Sequence, residues 1–166
     1  MTSSARDALE DCRGALQEFV DGVQGRAWKR RWITCVVLLR AVGHVLDKVD
    51  GDRSPRYRRE IDSWWENLKK GKPEPAIFWA FIEQERNSIV KEYRTRAGQG
   101  VTVPGAVVEI NRRTGEQKVE LRPPAVYQYT INAGPFAGRD QRELVSEAIL
   151  WWQTQLDAID AAANAA

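Results

Sequence analysis

The sequence predicts a mainly α-helical protein, an antiparallel bundle of about five helices with a small β-hairpin or meander before the last helix. Apolar residues recur at three- and four-residue spacing in five segments, which is the period of an amphipathic helix. Over about residues 101–131 the pattern becomes an alternation, which is typical of strands. With 166 residues and seven tryptophans, the chain is long enough for a single domain, residues 1–166, with a well-packed core.

The first two helices are expected over about residues 4–23 and 26–49. Ser3 or Ser4 is placed to cap the first helix. The second is apolar nearly all round from Trp32 onward, which predicts a central helix buried by several neighbours. The apolar stripe of the first helix consists of Leu9, Cys12, Leu16, Phe19, Val20 and Val23.

The remaining helices have recognisable boundaries. Ser54 followed by Pro55 is a usual start signal and opens the third helix. The fourth is expected from near Pro75 to about Arg96, and the fifth over about residues 140–162. Each carries an apolar stripe at helical spacing, which fits packing into one bundle.

Two strands are predicted around a Thr-Gly turn in "AVVEINRRTGEQKVELRPP", and "AVYQYTI" alternates as a third strand would. Pro123 and Pro124 indicate that the middle strand ends there, because proline cannot donate to a ladder. The segment is therefore expected to be a small excursion from the helical bundle.

Several function classes lack support in the sequence. There is no HExxH, CxxC, GxSxG, P-loop or GxGxxG pattern, so we expect neither a metal nor another cofactor. The longest apolar run is too short to span a bilayer and contains Arg40 and His44, so no membrane contact is expected. Cys12 and Cys35 lie in helical apolar patterns, which favours reduced thiols in a cytoplasmic protein.

The fourth helix carries polar residues among large apolar ones. Arg86 and Tyr93 are seven residues apart, which places both on or beside the apolar stripe. Asn87 and Lys91 lie on a neighbouring, more polar face. A buried guanidinium needs a carboxylate partner because it cannot lose its proton. Tyr93 is either a site residue or a core tyrosine with a bonded hydroxyl.

The second helix offers partners for this group. Arg40, His44 and Asp47 are spaced by four and three residues and so share one face. His44 is the only histidine and therefore the natural proton carrier near neutral pH. Two roles are open for Asp47: it orients His44, or it forms a structural ion pair with Arg86.

Charge is unevenly distributed along the chain. Residues 26–59 hold ten Lys and Arg against three acidic residues, whereas residues 140–166 hold one Arg against five. "RAWKRRW", which includes Arg30 and Arg31, interleaves bases with aromatics, a pattern that binds phosphates and stacks on nucleobases. The alternative is a solvated rim of helix starts. The opposite charges also suit self-association or an acidic protein partner.

The segment "RNSIVKEY", residues 86–93, resembles the signature of the HEPN superfamily of small helical proteins from toxin–antitoxin and phage-defence systems. That signature is an Arg, often a polar residue, four to six residues, then His and often x-Tyr. Arg86, Asn87 and Tyr93 take three of these places, and Lys91 stands where the histidine is expected. The resemblance implies a helical fold that acts as a homodimer.

The resemblance also implies a function. Active members are metal-independent ribonucleases, so Arg86 would stabilise phosphate while Asn87 and Tyr93 position RNA. Lys91 is a poor proton shuttle at neutral pH, which leaves His44 as a substitute or makes the chain a catalytically degenerate relative. Two alternatives stay open: a non-catalytic homodimeric interaction module, and a helical bundle that binds a small ligand.

Overall fold

The computed structural model of the protein describes residues 1–102, 105–110, 113–115, 117–121 and 125–165. It is a helical bundle with an antiparallel β-hairpin before the last helix, which confirms the predicted fold class. The helices are α1 Ser3–Gln17, α2 Gly25–Val45, α3 Pro55–Lys70, α4 Gln84–Glu92 and α5 Gln141–Ala165.

Helix α1 ends at Gln17, earlier than the predicted residue 23, and the chain turns before α2. Neither Ser3 nor Ser4 caps it. The carboxylate of Asp50 instead accepts hydrogen bonds from the backbone N–H groups of Ser4 (3.1 Å) and Ala5 (2.9 Å). A buried anion from a distant segment therefore occupies the positive end of α1.

Asp50 reaches α1 because α2 does not stop at Val45. The chain continues through a π-helical segment, Leu46–Asp50, and a 3-10 turn, Gly51–Arg53. Ser54 then caps α3, accepting a hydrogen bond from the Tyr57 N–H at 3.2 Å, as predicted. The wide turns after α2 carry its polar end toward the start of α1.

The fourth predicted helix is divided and shorter than expected. It begins with a π-helical segment, Ile77–Glu83, and continues as α4 to Glu92. Tyr93 has φ 54° and ψ 30°, a left-handed conformation that ends the helix at Glu92, four residues before Arg96. Its N–H bonds to the Ile89 carbonyl at 3.0 Å, so the helix end is closed by the backbone.

The hairpin consists of two nested antiparallel pairs, so it is a hairpin and not a meander. The inner strands, β2 Ala106–Ile110 and β3 Gln117–Leu121, pair around the predicted Thr-Gly turn. The outer strands, β1 Ala97–Thr102 and β4 Val126–Ile131, pair with each other. Strand β1 was not predicted, and the third predicted strand pairs with it instead of with β3.

The buried apolar residues form one cluster to which all five helices, β1 and β4 contribute. Gln141, fully buried at the start of α5, joins the hairpin to the helices. Its amide donates to the carbonyls of Gly98 (2.6 Å) and Thr130 (2.9 Å) and accepts from Trp28 Nε1 (3.0 Å). The base of the hairpin is therefore fixed to the bundle.

Candidate functional site

A cavity of about 290 Å³ opens where the last turns of α2 meet α3, α5 and the π-helical segment before α4. Its volume is near the lower end of the range for small-ligand sites, about 300 Å³. Aromatic and aliphatic side chains form one part of the wall, and charged side chains form the rim. The lining residues are Arg40, Gly43, His44, Asp47, Lys48, Ile61, Asp62, Trp64, Trp65, Phe78 and Trp152.

Four aromatic rings form a connected wall. The Trp152 ring lies 5.8 Å from Trp64 and 5.9 Å from Phe78, and Trp65 lies 6.0 Å from Phe78. Trp64 donates its Nε1–H to Gln155 Oε1 at 3.0 Å. Trp152 is fully buried, and its Nε1–H has no acceptor among the described residues. A buried donor without an acceptor is unfavourable, so a hydrogen-bond acceptor at the Trp152 Nε1–H would stabilise this wall.

On the rim, Asp47 is engaged by Arg58 and not by Arg86. Arg58 Nη1 lies 2.6 Å from Asp47 Oδ1, and Lys48 Nζ lies 3.0 Å from Asp47 Oδ2. Hydrogen bonds from Arg58 and Lys48 hold the pKa of the Asp47 carboxyl below its usual value. The alternative in which Asp47 forms a structural ion pair with Arg86 is therefore wrong, because Arg58 on α3 binds the carboxylate instead.

His44 lies on the exposed rim of the cavity. Its pKa is lowered first by partial desolvation and then by the positive charges of Arg40 and Arg86, which outweigh Glu83 and Asp47. No described residue is hydrogen-bonded to the imidazole, so Asp47 does not orient it. A neutral imidazole with free nitrogens is available to a ligand as donor or acceptor.

Arg86 and Asn87 belong to a polar chain beside the cavity. Arg40 Nε lies 2.7 Å from Glu83 Oε2, and Asn87 Nδ2 lies 3.3 Å from the other Glu83 oxygen. Arg86 Nη1 donates to Asn87 Oδ1 at 3.0 Å. Among the described residues, Arg86 has no carboxylate within ion-pair distance. Its partial burial is thus supported by an amide and not by a counter-ion.

Tyr93 does not share a face with Arg86, contrary to the prediction. The left-handed conformation at Tyr93 turns it off the helix, and 67% of the residue is exposed. Lys29, at the start of α2, lies over the ring with Nζ 3.7 Å from its centroid. Lys91 is exposed in the last turn of α4. The predicted site on one helix face is therefore divided.

Arg30 and Arg31 lie at the same end of the molecule as Lys29. Arg31 is paired with Glu18, while Arg30 is exposed. His44 is 14 residues from Arg30 along α2, about 21 Å at the helical rise. Half of the cations of the basic segment have acidic partners: Arg31, Arg40, Lys48, Arg53 and Arg58.

The structure thus brings together Arg40, His44 and Asp47 on one rim, as their spacing predicted, with Arg86 and Asn87 beside them. Sequence reasoning missed the aromatic wall, Arg58 and Glu83. The surplus of tryptophan was the available signal. It showed that aromatic burial would be extensive, but not which rings would leave a gap between them.

Within the described residues, neither a metal-binding cluster nor a membrane-spanning helix is present. No group of three or more His, Cys, Asp or Glu is arranged to hold a metal ion in the part of the chain that the structure describes. Within the same residues, no helix combines the length and the apolar character needed to cross a bilayer.

Neither a protein-family model nor a curated protein nor a solved structure matches this chain. The function must therefore be inferred from the chemistry of the cavity and its rim.

Proposed function

We propose that this protein binds a small planar molecule in the aromatic cavity beside His44. The observation that carries the proposal is the Trp152 indole: a fully buried donor without an acceptor, in the wall of a cavity of about 290 Å³. Leaving such a donor unpaired costs about 1–3 kcal/mol. A ligand ring can pack against the half-buried Trp64 and Trp65, and its acceptor reaches the Trp152 N–H when the wall shifts to admit it, because that atom has no exposed surface in this structure.

The surrounding chemistry supports a planar ligand over a flexible aliphatic one. Trp64, Trp65 and Phe78 present ring faces and edges at separations of about 6 Å from their neighbours. Aromatic pairs in offset or edge-to-face geometry contribute about 0.5–1.5 kcal/mol beyond area burial. The polar rim at Arg40 and His44 then fixes which end of the ligand faces solvent.

Isothermal titration calorimetry with 2-naphthamide, a planar neutral probe with a carbonyl acceptor, tests this function. We expect saturable one-to-one binding, and we expect Trp152→Phe to weaken it about fivefold to tenfold, because one hydrogen bond of about 1 kcal/mol is lost. Trp79→Phe is the matched control, since Trp79 Nε1 is also unpaired but does not line the cavity. Equal affinity in all three proteins, or no binding at all, contradicts the proposal.

A second candidate function is RNA binding at the start of α2, the end opposite the cavity. This is the activity expected of a catalytically degenerate HEPN-like protein. Exposed Tyr93 beneath Lys29, with Arg30 nearby in the sequence, supports it because an exposed ring and cations stack on bases and contact phosphates. The separation of Tyr93 from Arg86 favours binding over cleavage. Anisotropy with a labelled single-stranded RNA is the test: affinity should fall with salt and in Tyr93→Ala.

We further propose that the protein forms a homodimer, binds an acidic protein partner and is located in the cytoplasm. Each strand of the β1–β4 pair has one neighbour among the described strands, so an outer edge is left for a second copy. Light scattering at micromolar concentration tests the dimer, and a monomer contradicts it. The exposed Arg30 face would receive an acidic partner. Free, buried Cys12 and Cys35 support a reducing compartment.

A further inference from the structure

The polar chain beside the cavity, which reaches the rim at Arg40, carries an excess of positive charge. Glu83 is shared between Arg40, at 2.7 Å, and the amide of Asn87, at 3.3 Å. Arg86 donates to the oxygen of the same amide at 3.0 Å. Two guanidinium groups are therefore balanced by a single carboxylate. The side chains of this group are held to each other before any ligand arrives, which favours binding.

His44 lies within the field of both guanidinium groups. Burial, Arg40 and Arg86 lower its pKa, and Glu83 and Asp47 oppose them. Asp47, in the π-helical segment that follows α2, is engaged by Lys48 and by Arg58 of α3, and Arg58 also lies 3.4 Å from Asp62. The acidic groups that face His44 are thus already paired. Arg40 and Arg86 therefore act on the imidazole in the same direction as its partial desolvation, and all three disfavour its protonated form.

We propose that the ligand of the cavity is an aromatic anion, with its ring against Trp64 and Trp65, the two wall rings that keep accessible surface, and its anionic group at Arg40 and His44, within the field of Arg86. This inference rests on the proposed function, because it assigns the chemical class of the molecule that the cavity binds. The anion supplies the missing counter-charge for Arg86. It also favours the protonated imidazole, so binding takes up a proton when His44 is neutral beforehand.

A matched pair of probes tests the inference: 2-naphthoate and 2-naphthamide share a ring and differ in charge. By calorimetry we expect naphthoate to bind about tenfold more tightly at about pH 6, since one additional charge contact is gained. The preference should shrink as the pH rises to about 7.5 and should be independent of pH in His44→Gln.

Arg86 is tested with three variants. Arg86→Gln should reduce naphthoate affinity about fivefold, and Arg86→Lys, which keeps the charge, should retain affinity within about threefold of the unaltered protein. Arg26→Gln is the control, because Arg26 is exposed at the start of α2, about 27 Å from His44 along the helix. It removes the same net charge without touching the cavity.

The outcomes separate the two proposals. If both probes bind with equal affinity, or if naphthamide binds more tightly, the cavity is functional but the anion inference is overturned. A loss of naphthoate affinity in Arg26→Gln as large as that in Arg86→Gln also overturns it, because the effect would then come from net charge. If neither probe binds, the proposed function fails and the inference fails with it.

Discussion

His44 reports on its neighbourhood because it is the only histidine in the chain. In a proton NMR titration, the imidazole Hε1 resonance of His44 can be followed without overlap from other histidines, and we expect a midpoint below the ordinary pKa of about 6.5. Arg86→Gln should raise the midpoint by removing a repelling charge, whereas Arg26→Gln should leave it unchanged. A midpoint at or above the ordinary value would contradict the described arrangement of Arg40, Arg86 and His44.

The lowered pKa of His44 also makes the stability of the protein depend on pH. The unfolded chain binds a proton at His44 more readily than the folded chain does, because the folded pKa is lowered. Stability is therefore unaffected above about pH 6.5 and decreases as the pH falls below that value. A ligand anion at His44 reverses this tendency, since it stabilises the protonated form.

Two helical glycines provide a matched test of the cavity wall. A Cβ at Gly14 in α1 would meet nothing within 4 Å, whereas at Gly43 it would lie 3.0 Å from Trp152 and 3.3 Å from Arg40. Gly14→Ala should therefore raise the free energy of unfolding by about 0.5–1 kcal/mol. Gly43→Ala should lose that gain to crowding and should weaken 2-naphthamide binding.

Chemical denaturation and calorimetry check the glycine pair. An equal gain in stability for both variants, with unchanged binding in Gly43→Ala, would show that Gly43 does not shape the cavity.

At the residue scale, the sequence predicted contacts within one helix better than contacts between helices. Arg40, His44 and Asp47 share a rim because their spacing matches the helical period. The partner of Asp47 was not predictable, since Arg58 comes from α3 and is brought near by the turns between the two helices. The prediction that Arg86 and Tyr93 share a helix face is wrong, because the left-handed backbone at Tyr93 ends the helix and changes the direction of its side chain.

At the element scale, a buried carboxylate organises the end of α4. Glu85 is 3% exposed and accepts hydrogen bonds from Trp32 Nε1 at 3.0 Å, Thr95 Oγ1 at 2.5 Å and the Arg96 N–H at 3.0 Å. It thereby connects α2, α4 and the entry to β1. This role was missed because "FIEQERNSIVKEYR" offers several carboxylates and only the fold decides which of them is buried.

Glu85→Ala should lower the free energy of unfolding by about 3 kcal/mol, because three donors lose one buried acceptor. Glu92→Ala in the same helix, whose side chain is 58% exposed, should change it by less than about 0.5 kcal/mol. Urea denaturation measures both. Similar effects for the two variants would contradict the structural role of Glu85.

The element boundaries that the sequence missed have physical causes. The π-helical segments Leu46–Asp50 and Ile77–Glu83 change the angular step from about 100° per residue, so an apolar period read through them loses its phase. Strand β1, "AGQGVT", begins with Ala, Gly, Gln and Gly, and its only β-branched residues, Val101 and Thr102, are the last two, which is too short a run to mark a strand. It pairs with β4, whose alternating apolar residues include the buried Tyr129 and Ile131.

At the scale of the whole molecule, the start of the chain is fixed to the end by Asp160. This carboxylate accepts from the Thr2 N–H at 2.8 Å and Tyr57 Oη at 3.1 Å, and it lies 2.8 Å from Arg6 Nη2. Burial tends to raise its pKa, but hydrogen bonds from Arg6, Thr2 and Tyr57 outweigh burial and lower it. This contribution to stability is present above about pH 4 and is lost as the pH falls through the folded pKa.

Asp160→Asn should therefore destabilise the protein by about 1–3 kcal/mol at about pH 7 and by much less at about pH 3. Asp157→Asn is the control, because Asp157 also contacts Arg6 but its side chain is 58% exposed, which limits its effect to less than about 1 kcal/mol. Urea denaturation at both pH values measures the free energy of unfolding of the two variants and of the unaltered protein. An effect of Asp160→Asn that is independent of pH would contradict the linkage.

The fold class was predictable from the sequence because it depends on periodicity summed over many residues. The cavity was not, because it arises where four rings from three separate segments stop short of close packing. A gap between side chains has no period and no composition of its own. Only the polar residues on its rim could be found from the sequence.

Binding of a planar ligand in the cavity beside Trp152 can be followed in the indole N–H resonances of the seven tryptophans. Addition of 2-naphthamide should shift the Trp152 Nε1–H resonance along a saturating curve, with the assignment confirmed by its loss in Trp152→Phe. The Trp79 resonance should stay in place, since that donor is also unpaired but lies outside the cavity lining. An unchanged Trp152 resonance, or equal shifts at Trp152 and Trp79, would contradict the account.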